Sequence, residues 1–293
     1  MMPNDSVNSP YTASFLVLLY NKEIQLSNTL NQLLDSELSF AHCQLTIWNN
    51  GPKSLVNQDV SEFEKLGFSV SIVETLENSS LAKVYNQFVD SIRSDKYVIL
   101  DDDSILNDGY LTDVLAAKND EVCIPIICMN GEVKGPRINK KIVMEPTSFT
   151  NRARINAIGS GTVLGSKVAE LMKQQEGTIF DEKFFFYGVD TTFFLRLNRL
   201  SQEAPFRVIN NFSHSLSRYE KESDKVREFR KKERSCTTAL RLRHYKPMLN
   251  GFLLYLKHVL SSVTKVLTGK ESKIDFKEFT LSYFTGKHYR ARD

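Results

Sequence analysis

Through the first hundred residues, short apolar runs alternate with stretches of helical periodicity. Residues 14–19 (SFLVLL), 44–48 (QLTIW), 68–73 (FSVSIV) and 97–100 (YVIL) have the length and side-chain character of buried strands. Between them, residues 24–38 carry apolar side chains at 24, 26, 30, 33, 34 and 38, which predicts a helix. A second helical stripe runs through Leu81, Val84, Tyr85, Phe88, Val89 and Ile92. Strands alternating with helices predict an α/β fold, with βαβ crossovers and a mixed, mostly parallel sheet flanked by helices. Ligands of such sheets bind beyond the carboxyl ends of the strands. Those ends are polar here: Tyr20-Asn21 after the first, Asn49-Asn50-Gly51-Pro52 after the second, Asp101-Asp102-Asp103 after the fourth.

Further on, residues 155–164 (INAIGSGTVL) suggest a strand interrupted by small residues, and 207–212 another strand. Residues 180–200 read as an aromatic loop leading into a helix. From about Tyr219 the chain turns helical and basic, with eleven Lys/Arg against five Asp/Glu over residues 218–246. Pro247 breaks that pattern, and Met248–Leu267 resumes it as an amphipathic stretch. The expected division is a catalytic domain over 1–217 and a basic, amphipathic helical region over 218–293.

With 293 residues and 41% apolar content, the chain can bury a sizeable core. A net charge of +3 is too small to imply nucleic acid. The basic excess near the C-terminus suggests an anionic partner there. Cys43, Cys123, Cys128 and Cys236 show no CxxC spacing, which predicts reduced thiols and a cytoplasmic protein. The N-terminal residues lack a basic segment and a long apolar run, so no secretory leader is expected. No stretch approaches the roughly 20 apolar residues that span a bilayer.

Three features carry candidate chemistry. Three adjacent aspartates at a strand terminus repel one another, and a cation relieves the cost. Alternate residues of an extended chain project alike, so Asp101 and Asp103 can converge on one hard cation such as Mg²⁺ or Mn²⁺. The alternative is a solvated acidic turn. Asp190 follows the aromatic run 180–187, whose walls exclude water and raise a carboxylate toward the range of a general base. Its alternative is a helix cap. His214 follows the strand at 207–212 and is either a ligand or a satisfied structural group.

Together, the YN and NNG turns, ENSSLAKVYNQ, the DDD triplet, GSG, FDEKFFFYGVD and a downstream histidine resemble family 2 glycosyltransferases. The resemblance covers roughly residues 13–245 and is nearest to the rhamnosyltransferase and galactofuranosyltransferase branch. It implies a GT-A, Rossmann-like fold and an inverting transfer of sugar from a nucleotide-diphosphate-sugar to a glycan hydroxyl. It further implies that Asp101 and Asp103, with His214 in some members, hold Mn²⁺ or Mg²⁺, and that Asp190 is the catalytic base. Donor contacts are implied for Tyr20, Asn21, Asn49, Asn78, Asn86, Asp101 and Asp102. Contacts to the donor sugar or acceptor are implied for Gly159, Ser160, Gly161 and Tyr187. Three positions depart from the family pattern: Asn49 stands where an aspartate is usual, Val189 where an acid is usual, and Ser80 where glycine is frequent.

The implied donor is UDP- or dTDP-linked, and the implied acceptor is a bacterial surface polysaccharide or O-antigen type glycan. Helix 248–267 then has three readings: a peripheral membrane contact presenting a lipid-linked acceptor, a helix packed on its own chain, or a homo-oligomer interface. Two rival functions are a nucleotidyltransferase of similar fold and a non-catalytic carbohydrate-binding relative. The first lacks its expected Gly-rich phosphate loop between Phe15 and Lys53; against the second, the metal carboxylates and the base are all present.

Overall fold

The computed structural model describes residues 11–214 and 223–292. They fall into two compact units. One comprises residues 11–79, 84–179 and 193–214; the other comprises residues 80–83, 180–192 and 223–292.

The first unit is built on β1 (Ala13–Leu19), β2 (Cys43–Asn49), β3 (Phe68–Glu74) and β4 (Lys96–Asp101), parallel in the order β3-β2-β1-β4. The near-continuous apolar content of β1 and β4 suits strands covered on both faces. Phe15, Val17 and Leu19 of β1 join Leu45, Ile47 and Val98 in the main core. Phe15 packs edge-on against Phe40 at 5.9 Å and Phe68 at 5.6 Å, while Phe40 and Phe68 stack at 4.3 Å. The crossovers carry α1 (Asn28–Leu34), α2 (Ser61–Lys65) and α3 (Leu81–Ser91).

After β4 come β5 (Ser104–Ile105), α4 (Asp108–Ala116), β6 (Val122–Met129), β7 (Glu132–Gly135), β8 (Arg137–Ile138), β9 (Lys141–Ile142) and β10 (Thr147–Thr150). Then follow β11 (Ile155–Asn156), β12 (Thr162–Gly165), α5 (Ser166–Glu176), α6 (Val189–Leu197) and β13 (Pro205–His214). β12 is antiparallel to both β4 and β6, β6 is parallel to β13, and β10 closes the sheet antiparallel to β13. β5 adds to β13 and β7 to β6, and β11-β8-β9 form a separate small sheet. The longest pairings are parallel, giving the mixed α/β sheet that the alternation of elements predicts.

Two expectations are corrected. The helix expected over 24–38 is a 3-10 turn, Ile24–Leu26, followed by α1. The break falls at Ser27, whose hydroxyl caps α1 by accepting from the Leu30 N–H at 3.2 Å. The strand expected over 155–164 is two strands in different sheets, because Gly161 turns the chain at φ +82°. A Cβ there would lie 2.4 Å from the Phe212 ring, so only glycine fits.

The second unit contains α7 (Asp224–His244), α8 (Met248–Leu267) and α9 (Phe276–Thr285). Ala239, Leu242, Tyr255, Phe279 and Tyr283 form its core, with Tyr255 stacked on Tyr283 at 4.5 Å. Asp275 caps α9 by accepting from the Glu278 N–H, and Gly286 ends it in the left-handed conformation. Buried His288 Nε2 lies 3.3 Å from Oε2 of the buried Glu233 on α7.

Candidate metal and donor site

The carboxyl edge of the first unit's sheet is set by register. Leu18 of β1 pairs with Asp101 of β4, while Leu19, Asn49 and Glu74 align across β1, β2 and β3. The polar strand ends therefore share one edge.

The acidic turn after β4 is fixed by the start of α1. The Thr29 hydroxyl donates to the Asp101 carbonyl at 2.5 Å and accepts from the Ser104 N–H at 3.0 Å. The Ser27 hydroxyl donates to the Asp102 carbonyl at 3.1 Å, and the Thr29 N–H reaches the same carbonyl at 3.3 Å. From the other side, the Asp101 N–H donates to Ser160 Oγ at 3.0 Å. These bonds hold the backbone, so the carboxylates point where the turn sends them.

They point at His214. β13 runs antiparallel to β5, which sets His214 opposite Ser104. His214 Nδ1 lies 3.3 Å from Asp103 Oδ1 and 3.1 Å from Ser104 Oγ, and Nε2 lies 3.7 Å from Asp101 Oδ2. One ligand atom from each of Asp101, Asp103 and His214 falls within 4.8 Å of the others. Asp103 Oδ1 is buried without a hydrogen-bond partner among the described residues. Burial pushes the Asp103 carboxyl above its ordinary value; His214 opposes the rise and Asp102 reinforces it. Burial also pushes His214 below its ordinary value, favouring a neutral ring with a lone pair to offer. A buried oxygen without a partner, beside a second carboxylate and a neutral imidazole, is a donor set that fits a divalent cation.

Asp102 turns away to Lys22, 3.0 Å from its Oδ1, so one of the three carboxylates already has its counter-charge. Lys22 was not singled out by the sequence reading, although it is the first cation after β1. Ser27, Thr29 and Ser104 were also missed, because their roles depend on contacts at least 72 residues apart in sequence.

At the β1–β2 end, Tyr20 is half exposed, and Asn21 adopts φ +51° with its N–H on the Gly51 carbonyl at 2.6 Å. Asn49 is buried; its Nδ2 donates to Lys53 O and Glu74 Oε1, both at 2.7 Å, and its Oδ1 accepts from the Gly51 N–H. Its amide thus braces the turn and keeps one Oδ1 lone pair in reserve. Asn50 Nδ2 reaches Asn78 Oδ1 and the Ser79 carbonyl, and Asn78 itself has φ +57°. Asn86 is buried on α3. Gly159 accepts from the Thr162 N–H, Gly161 donates to the Ile99 carbonyl at 2.7 Å, and buried Ser160 lies 3.2 Å from Ser104 Oγ. The GSG turn is therefore part of the frame around the acidic cluster.

Gly51 makes that frame testable. It has φ +86°, and a Cβ there would sit 2.3 Å from the Leu76 carbonyl oxygen. Gly51→Ala should lose roughly 2–3 kcal/mol in urea denaturation, from a left-handed non-glycine residue pressed against rigid backbone. An unchanged midpoint would show that the turn relaxes freely.

In the second unit, the segment carrying Asp190 is fixed by its neighbours. Phe184 packs against Tyr245, whose hydroxyl donates to Asp181 Oδ2 at 2.8 Å. Phe185 stacks on His288 at 4.5 Å. The Tyr187 carbonyl accepts from Thr237 Oγ1, and the Arg234 guanidinium sits 4.9 Å over the Tyr187 ring. Asp190 is partly buried in the first turn of α6, one residue inside the helix start at Val189.

Residues 14–175 match the family model of glycosyl transferase family 2, more than half of the chain. The chain belongs to that family. Its fold is similar to that of S. aureus TarS, with a TM-score of 0.51, 14% identity, and coverage of 80% of this chain and 40% of that one. It is also similar to TarS 1–349, with a TM-score of 0.50, 14% identity and coverage of 80% and 66%. The chain thus spans less than two thirds of either structure's length, and at this identity the likeness concerns the fold. Comparison with curated proteins gives no match.

Proposed function

We propose that this family 2 chain transfers a sugar from a UDP- or dTDP-linked donor to a hydroxyl of a glycan acceptor, with inversion. The observation that carries the reading is the convergence of Asp101, Asp103 and His214 at the carboxyl edge of the sheet. These three residues would hold Mn²⁺ or Mg²⁺; when bound, the ion stabilises negative charge on the departing diphosphate. Lys22 holds the third carboxylate, Asp102, away from that cluster. Tyr20, Asn21, Asn49, Asn78 and Asn86 would position the nucleotide, and Gly159, Ser160, Gly161 and Tyr187 the sugars.

Asp190 would take the proton from the acceptor hydroxyl as its oxygen attacks the anomeric carbon. The bond to the diphosphate breaks, and the nucleoside diphosphate leaves with the electron pair. One metal site and one separate carboxylate base match a single displacement. The acceptor would be a bacterial surface polysaccharide of O-antigen type, at the cytoplasmic side of a membrane.

A ligand that binds only the folded state raises its stability by mass action, by about 2.7 kcal/mol at roughly 100 times Kd. Saturating Mn²⁺ with UDP or dTDP should raise the melting temperature of the wild-type chain. In His214→Ala, most of that shift should vanish. A full shift in that variant would place the metal elsewhere and remove the main support for the reading.

A further inference from the structure

Helix α8 has two apolar faces, and the second unit packs only one of them. Gly251, Tyr255 and Ser262 are buried, with Tyr255 joining Ala239, Leu242, Phe279 and Tyr283 in the core. The other face carries Leu249, Leu253, Leu256, Leu260, Val263 and Leu267, spaced by alternating steps of four and three residues, and all are exposed. Leu260 is 67% exposed and Leu267 79%, although such side chains normally seek burial. The patch continues onto α9: exposed Phe252 stacks on Tyr255, and exposed Phe284 meets the same ring edge-on at 5.4 Å.

Charge says what this face fits. From Arg234 to Lys270 the sequence contains no Asp or Glu, while Lys246, Lys257, Lys265 and Lys270 run along α8 and past its ends. Lys257 lies one turn from both Leu253 and Leu260, at the border of the exposed stripe. Among the described residues, no helix is long and apolar enough to cross a membrane. An apolar face with a wholly cationic border, too polar to span, suits a helix lying in the interface of an anionic bilayer. A second copy fits less well. Pairing the stripe with itself brings lysines toward lysines, and α8 supplies no carboxylate to receive them.

We infer that the exposed face of α8, extended by Phe284, is a docking surface for an anionic lipid bilayer. The inference stands apart from the metal-site reading, because its test reads binding and not transfer.

The intact chain should float with vesicles of phosphatidylcholine and phosphatidylglycerol at least about tenfold better than with phosphatidylcholine alone, and high salt should reduce the difference. Leu256→Glu combined with Leu260→Glu changes only exposed positions and should keep the melting temperature while losing the vesicle-bound fraction. Lys257→Glu combined with Lys270→Glu should lose the preference for phosphatidylglycerol, which gives a second test should the leucine variant fold poorly. Equal binding to both vesicle types, equal binding by the variants, or no binding would overturn the inference. A wild-type dimer in sedimentation velocity that the leucine variant abolishes, without vesicle binding, would overturn it in favour of a second copy.

Discussion

Asp103→Asn should reduce sugar transfer by at least about two to three orders of magnitude while leaving the fold intact. The side chains are nearly the same size, so the variant removes a charge without opening a cavity. That charge is carried in part by the oxygen that the described residues leave without a hydrogen bond, at the point where two carboxylates and an imidazole converge. If that oxygen holds the cation, the departing diphosphate loses its main source of charge stabilisation. The metal-dependent rise in melting temperature should disappear with it.

Stability separates this expectation from a structural role. In the folded chain, burial holds the Asp103 carboxyl above its ordinary value. Below the ordinary carboxylate range both folded and unfolded states are protonated, and the group costs nothing. As pH rises, the unfolded state releases its proton first, so folding is progressively disfavoured until the folded group ionises as well, after which the cost stays constant. Asparagine carries no such penalty. The metal-free variant should therefore melt at the same temperature as wild type or higher at neutral pH, with the advantage fading in acid. A variant that lost activity and also melted much lower would make Asp103 a structural residue. A variant that kept both transfer and the metal shift would remove it from the site.

Much of this arrangement is legible in the chain, and the reasons for the rest are physical. β1 and β4 announce themselves as apolar runs closed by polar residues, because strands buried on both faces have no room for alternation, whereas the edge strand β3 alternates. Asp101 and Asp103 stand out because adjacent carboxylates at a strand end are costly. β6 is an apolar run interrupted by Pro125, a residue that argues against a central strand. The small sheet of β8, β9 and β11 consists of two-residue strands, too short for any periodicity. His214 could be suspected from the motif order, but its distance to Asp103 depends on β13 pairing with β5, about 110 residues earlier. Ser27 and Thr29 were hidden inside what reads as one helix. Only the cap at Ser27 shows that the helix begins there and leaves two hydroxyls to grip the acidic turn. Asn49 is the converse case: the motif marks it for the nucleotide, while the fold commits most of its amide to the turn around Gly51.

Asp190→Asn should leave donor and metal binding unchanged and lower kcat by about 10²- to 10⁴-fold. The substitution again conserves shape, and the affected carboxylate lies in the first turn of a helix whose aromatic approach is fixed by Tyr245, His288 and Thr237. The proposed cation ligands lie at the end of β4, in the turn after it and on β13, so a melting-temperature shift with Mn²⁺ and nucleotide should persist. Val189 precedes Asp190 where relatives of this pattern usually carry an acid. The position before the base therefore offers no carboxylate to replace it, and the defect should be deep. Normal turnover would show that another group takes the acceptor's proton. A fall in donor affinity with kcat preserved would instead make Asp190 a binding residue. Only loss of kcat at constant KM for the donor fits a base that acts as the acceptor attacks.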